Sequence, residues 1–400
     1  MMRTLLSLFL ATSLAGCAHK QRTDDDRPKL PPAKPEAVEA FKDGARLMRL
    51  GAAHHARAVD RFEAAVALDP RLWEAHYDLG WLALASRQFE AAAKHFEKSV
   101  EIYPRHFQYV LGLGRAYDAS GRPDAAVKVY KTFLGENRAK PEELAPVRVA
   151  LGGSLRRAGK LDQALEVLRD ALKAEARSAA ALTGLGLVYE AKGQHELAEL
   201  VLHRAAEIDP KSKLAADIWN NLGLIALARR HDQEAFADFA EAVKIDPTLT
   251  VARRNRAVVY LDCGDYDKAA NELRDVVKGD ASDSAAWVAL GVAERGRGKL
   301  DEAEKAYLKA IDADPAGSTG ADAIDARYNL GVLYMDFKKD PAKAKDLLTE
   351  FVKAAPSRNP KVKDAETRLK DLAPKSEPTS QSSDKGSAPA PAAGAGGSPK

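Results

Sequence analysis

AALTGLGLVYEAKGQHELAELVLHRAAEIDP, residues 180–210, reads as two helices folded back on one another. Gly186 lies in the middle of the first, behind Leu185 and one turn before Tyr189, and Gly193 marks the turn. In the second, Ala198, Leu202 and Ala205 share one helical face, and Pro210 ends the helix because it has no N–H to continue it. A glycine and an alanine on facing helices allow close approach, while the large residues fill the space between hairpins.

The same unit returns along the chain. A small residue recurs at Gly80, Gly114, Gly152, Gly186, Gly223, Ala257, Gly291 and Gly331. A second recurs at Ala92, Ala126, Ala164, Ala198, Ala235, Ala269, Ala303 and Ala344. The period is about 34 residues, the signature of a stack of helical hairpins. Residues 284–315 (SAAWVALGVAERGRGKLDEAEKAYLKAIDADP) repeat the pattern nearly throughout. This pattern resembles the tetratricopeptide repeat, over most of the chain. The resemblance implies an all-α, superhelical solenoid of about nine repeats across 37–358, with a capping helix at 359–373. Repeat arrays need a polar-backed terminal element, and Val362, Ala365, Leu369 and Leu372 supply its single apolar face. Insertions at 141–144, 213–215 and 318–323 are expected to change the local pitch or lengthen the helix that follows.

The two ends have other compositions. Arg3, the apolar stretch Thr4–Leu14 and the run Leu14-Ala15-Gly16-Cys17 form a short targeting segment that resembles a bacterial lipoprotein signal peptide. That resemblance implies removal of 1–16, lipidation of Cys17, and, with Ala18 next, attachment to the outer membrane facing the periplasm. Residues 17–36 are polar and Pro-rich and are expected to act as a tether; 374–400, rich in Pro, Ala, Gly and Ser, are expected to be disordered. Cys263 is then the one remaining cysteine. It is expected as a small buried residue at a helix end, the alternative being an intermolecular disulfide.

Charge and motifs narrow the function. A formal net charge of +3 over 400 residues gives no electrostatic reason for binding nucleic acid. No HExxH, GxSxG, phosphate-binding glycine loop or metal-spaced cysteine set occurs, so neither catalysis, a cofactor nor a metal site is expected. The adjacent His54 and His55 fall in a turn, with no further ligand beside them in sequence.

Repeats of this kind bind other proteins, and the resemblance implies a concave groove lined by the first helices. Projected onto this chain, the groove takes Tyr77, Trp81, Arg115 and Arg156 at its N-terminal end. Asn220, Asn221, Arg254, Asn255, Tyr328 and Asn329 follow. Asn221, Asn255 and Asn329 each stand two residues before the small residue, where an amide can bond an extended peptide. Tyr77 and Trp81 are candidate anchors, with packing between hairpins the alternative for Trp81. The chain resembles the lipoproteins of the myxobacterial adventurous-gliding machinery and, less closely in repeat number, pilotin-type lipoproteins that escort a pilus secretin. An accessory factor for polysaccharide export or cell-wall synthesis is a third expectation. The partners expected are periplasmic or outer-membrane proteins, with membrane attachment through Cys17.

Overall fold

A computed structural model describes residues 30–136, 140–314 and 320–372. These fall into two units, one ending at Ala281 and the other beginning at Ser282. The described helices of the first unit pair as α1 (Pro35–Arg49) with α2 (His55–Leu68), and α3 (Trp73–Ala85) with α4 (Phe89–Ile102). There follow α5 (Phe107–Ala119) with α6 (Pro123–Glu136), α7 (Pro141–Arg157) with α8 (Leu161–Ala174), and α9 (Ala179–Ala191) with α10 (His195–Ile208). The unit closes with α11 (Lys213–Ala228) and α12 (Asp232–Ile245), then α13 (Thr250–Asp262) and α14 (Tyr266–Gly279). In the second unit α15 (Ser284–Gly296) pairs with α16 (Leu300–Ala313), α17 (Ala321–Val332) with α18 (Pro341–Ala354), and α19 (Lys361–Asp371) packs on α18. The fold class is the all-α superhelical solenoid that the sequence predicts.

Each hairpin is built on one contact. A Cβ added at Gly80 would stand 2.7 Å from the Phe96 ring, and one at Gly223 would stand 2.6 Å from the Phe239 ring. Gly114 faces Tyr130 and Gly291 faces Tyr307 in the same way, all four rings being fully buried. Three hairpins carry leucine instead, Leu168 against Gly152, Leu202 against Gly186 and Leu348 against Gly331. In the first hairpin Gly44 faces Phe62, a contact displaced in the sequence by the 3-10 turn at Ala52–His54. Within the first unit, successive first helices approach one another from α3 to α13, forming its inner layer.

The insertions at 141–144 and 213–215 become the opening turns of α7 and α11, which run to 17 and 16 residues. The helical body begins at Pro35, two residues before the sequence boundary. Lys34 N donates to Asp69 Oδ2 at 3.4 Å, tying this start to the end of α2.

The hairpin turns need a left-handed residue, and glycine supplies it at Gly121 (φ 76°) and Gly193 (φ 73°). The chain closes there with a bond from Arg122 N to Tyr117 O of 2.8 Å, the six-to-one closure of a helix C-terminus. Arg87 (φ 57°) and Arg230 (φ 64°) occupy the same position without that freedom. A left-handed side-chain residue costs about 1–2 kcal/mol, more than the unfolded-state entropy that glycine adds. Arg87→Gly and Arg230→Gly are each expected to stabilise the chain by about 0.5–1 kcal/mol in urea unfolding, whereas Gly193→Arg is expected to destabilise it.

Candidate functional site

The N-terminal end of the inner layer is aromatic. Tyr77 and Trp81 stand one turn apart on α3, ring centroids 6.0 Å apart and nearly perpendicular. Both are half-buried, edge-on to Phe96 at 5.8 and 5.6 Å, and Tyr109 of α5 comes within 4.9 Å of Tyr77. The exposed Arg115 carries its guanidinium 5.4 Å from the Trp81 ring centroid, within cation–π range. Trp81 therefore both packs within its own hairpin and presents surface.

Asp78 follows Tyr77 on α3. Burial, reinforced by the negative charge of Glu74, pushes its carboxyl up to about 7. The folded chain holds this proton more tightly than the unfolded one. Its contribution to stability is full below about pH 4 and is lost as pH rises through 7. Asp78→Asn is expected to raise the thermal midpoint at pH 8 and to leave it nearly unchanged at pH 4. An equal gain at both pH values would contradict the assignment.

The middle of the layer is charged. Asp118 of α5 accepts from Ser154 Oγ at 2.7 Å and from Arg157 Nη1 at 3.0 Å, both on α7. Its other oxygen, Oδ1, is buried without a hydrogen bond. Arg156 is half-buried and has no hydrogen-bond or ion-pair partner among the described residues. Burial first, and the charge of Arg157 second, lower its pKa. The carboxylates of Glu190 and Asp118 act on it in the opposite sense.

The asparagines sit differently from the sequence expectation. Asn255 Nδ2 donates to Asn220 Oδ1 at 2.8 Å, and both residues are buried, whereas Asn221 is half-buried. Asn329, in the second unit, is buried as well. The reason is positional. Gly112 and Gly184 also stand two residues before the small residue, and a Cβ there would meet Phe96 or Leu168 of the preceding hairpin. This row is thus the contact line between hairpins, and the Asn255 amide bonds within the fold. Arg254 is half-buried on α13 beside Asn255.

In the second unit the Tyr328 hydroxyl donates to Asp364 Oδ2 of α19 at 2.6 Å, and its ring packs 5.1 Å from Phe351. The cap thus engages this predicted groove residue. Cys263 is exposed at the C-cap of α13, which corrects the expectation of burial: the residue follows the last helical turn and faces solvent rather than α14. Cys17 and the tail 374–400 lie outside the described residues. Among the described residues no three His, Cys, Asp or Glu converge as metal ligands, and no helix is long and apolar enough to cross a membrane.

Two features of the fold are missing from the sequence-level expectations. Leucine precedes the small residue in seven repeats (Leu79, Leu113, Leu151, Leu185, Leu222, Leu290, Leu330), but Arg256 takes that place in α13 and pairs with Glu272. The second is a π turn at Leu333–Lys338 between α17 and α18. Gly331 and Ala344 are 13 residues apart where Gly291 and Ala303 are 12, and the π turn absorbs the extra residue.

Comparison with known proteins agrees with this architecture. One tetratricopeptide-repeat model matches residues 49–107, 77–143, 149–213 and 254–318, more than half of the chain. Two related models match 216–249 and 325–357. The chain is 25% identical over 242 residues to tetratricopeptide repeat protein 8 of Caenorhabditis elegans, covering 59% of this chain and 44% of that protein. It is 22% identical over 284 residues to BBSome complex member BBS4 of Bos taurus, covering 70% and 52%. The chain spans about half the length of the curated relatives it matches. Among solved structures, Cut9 with Hcn1 from an APC/C hetero-tetramer aligns with a TM-score of 0.53 at 15% identity, covering 84% of this chain and 76% of that one. Repeats of this kind generally mediate protein–protein interactions, and their fold is typically a non-catalytic scaffold. The hairpin contacts and the family models together make this chain a member of the tetratricopeptide-repeat family.

Proposed function

We propose that the chain is a non-catalytic scaffold, anchored through lipid on Cys17 to the outer membrane and facing the periplasm. There it holds protein partners of an envelope machine, a gliding-motility complex foremost. The observation that carries the binding role is the Tyr77–Trp81 pair capped by the exposed Arg115. Aromatic and arginine side chains contribute most per residue at protein interfaces. The run Leu14–Cys17 supports the anchor, since acyl chains contribute about 0.8 kcal/mol per buried methylene. A relative named as a member of a multiprotein complex supports the same class of role.

Deletion of the gene is expected to abolish gliding of single cells while pilus-dependent movement, secretin multimers and capsule persist. Intact gliding, with loss of secretin multimers or of capsule instead, would assign the scaffold to a pilus or to polysaccharide export. Cys17→Ser is expected to abolish fatty-acid labelling and release the protein from the outer-membrane fraction; unchanged labelling would refute the anchor. Arg115→Glu, at an exposed position, is expected to weaken partner capture with the helical signal unchanged.

A further inference from the structure

Asp78 stands on α3, a helix of the inner layer, without a counter-charge. It lies one turn after Glu74 and three residues before Trp81, so the three side chains share one stripe beside Tyr77. Asp78 is half-buried, and among the described residues no hydrogen bond or ion pair reaches its carboxyl. Burial and the like charge of Glu74 act on it, and no cation of the described residues does. The cations of the flanking first helices are engaged elsewhere. Arg115 of α5 lies over the Trp81 ring, and on α1 Lys42 pairs with Glu39 and Arg46 with Asp43. A carboxylate so placed costs the free chain stability once it ionises.

The surroundings suit a guanidinium. Tyr77 and Trp81 stand nearly perpendicular and half-buried beside the carboxyl, and the faces of such rings attract cations. The chain already lays its own Arg115 against Trp81, so these rings accept an arginine. A carboxylate adds the planar pair of acceptors that arginine matches with two N–H groups, where lysine offers a point charge. Given that α3 and α5 form the binding surface proposed above, we propose that Asp78, with Tyr77 and Trp81 beside it, receives an arginine side chain of the partner segment. The incoming guanidinium replaces water at the carboxylate and offsets the repulsion from Glu74. A group that weakens the free chain thereby strengthens the complex, which is the usual reason that a site breaks a rule of folding.

The test is titration of the purified full chain with N-acetyl-arginine amide to about 20 mM, at pH 8 and constant ionic strength, followed by tryptophan fluorescence and by the carbon resonance of the Asp78 carboxyl. Saturable binding is expected, and the Asp78 titration midpoint is expected to fall by about one pH unit at saturation, because the ligand binds the ionised form. Asp78→Asn is expected to weaken binding at least about tenfold while raising the thermal midpoint at pH 8. N-acetyl-citrulline amide, of the same shape without the charge, is expected not to bind. Asp238→Asn on α12 removes another carboxyl that burial, Glu234 and Glu199 push up to about 7, and is expected to bind as the wild type does. Absence of saturable binding, equal binding of the citrulline amide or by Asp78→Asn, or loss of binding in Asp238→Asn would each overturn the site. A failed titration alongside partner capture that Arg115→Glu still weakens would strike the arginine site alone and leave the binding surface standing.

Discussion

Gly223→Ala is expected to destabilise the chain by about 2 kcal/mol, and Gly223→Leu by about 3 kcal/mol or more. The added Cβ would stand 2.6 Å from the Phe239 ring, which is fully buried and closed in by its own hairpin. The neighbouring repeat indicates the remedy. Ala257 stands there where the others have glycine, and the residue 16 positions on is Leu273 rather than a ring. Gly223→Ala combined with Phe239→Leu is therefore expected to cost less than the sum of the single changes, with a coupling of about 1 kcal/mol in urea unfolding. Strict additivity would show that the glycine is not kept for the ring.

The second large effect is at α13 and α14. Arg256 enters a row otherwise held by leucine and pairs with Glu272, which Arg253 also approaches at 3.4 Å. The paired side chains of Arg256 and Glu272 retain 17% and 16% of their exposure, so both charges are largely removed from water. Glu272→Ala removes the ion-pair partner of the largely buried Arg256, while Arg253 keeps Asp275 at 3.7 Å, and is expected to cost about 3 kcal/mol. Arg256→Leu with Glu272→Leu replaces the pair by apolar contact and is expected to be neutral or stabilising. Both variants are measured by denaturant unfolding. A mild effect of Glu272→Ala, within about 0.5 kcal/mol, would mean that the pair behaves as an exposed surface ion pair.

The fold was legible because its central contact recurs in seven repeats as a small residue and then a large one 16 positions later. The lengthened α7 and α11 follow from the insertions at 141–144 and 213–215. What escaped lies between repeats or in small shifts of spacing. The Asn220–Asn255 bond joins residues 35 apart on neighbouring hairpins, where the one-repeat pattern suggests Asn221 and Asn255 as equivalents. Gly44 belongs to the glycine series but is hidden by two extra residues before Ala58. Cys263 looks apolar in composition, yet its place after the last helical turn exposes it. The candidate site was half legible. Tyr77, Trp81 and Arg115 do come together, while Tyr328 is engaged by the cap and the buried asparagines by the fold.

The most direct measurement is site-specific photocrosslinking in intact envelopes. One version of the chain carries a photoreactive phenylalanine analogue at Arg115, on the inner layer, and the other carries it at Leu200, exposed on α10. Discrete protein adducts from Arg115, suppressed by Tyr77→Ala and absent from Leu200, are the predicted result. Adducts from Leu200 alone would contradict binding through the inner layer.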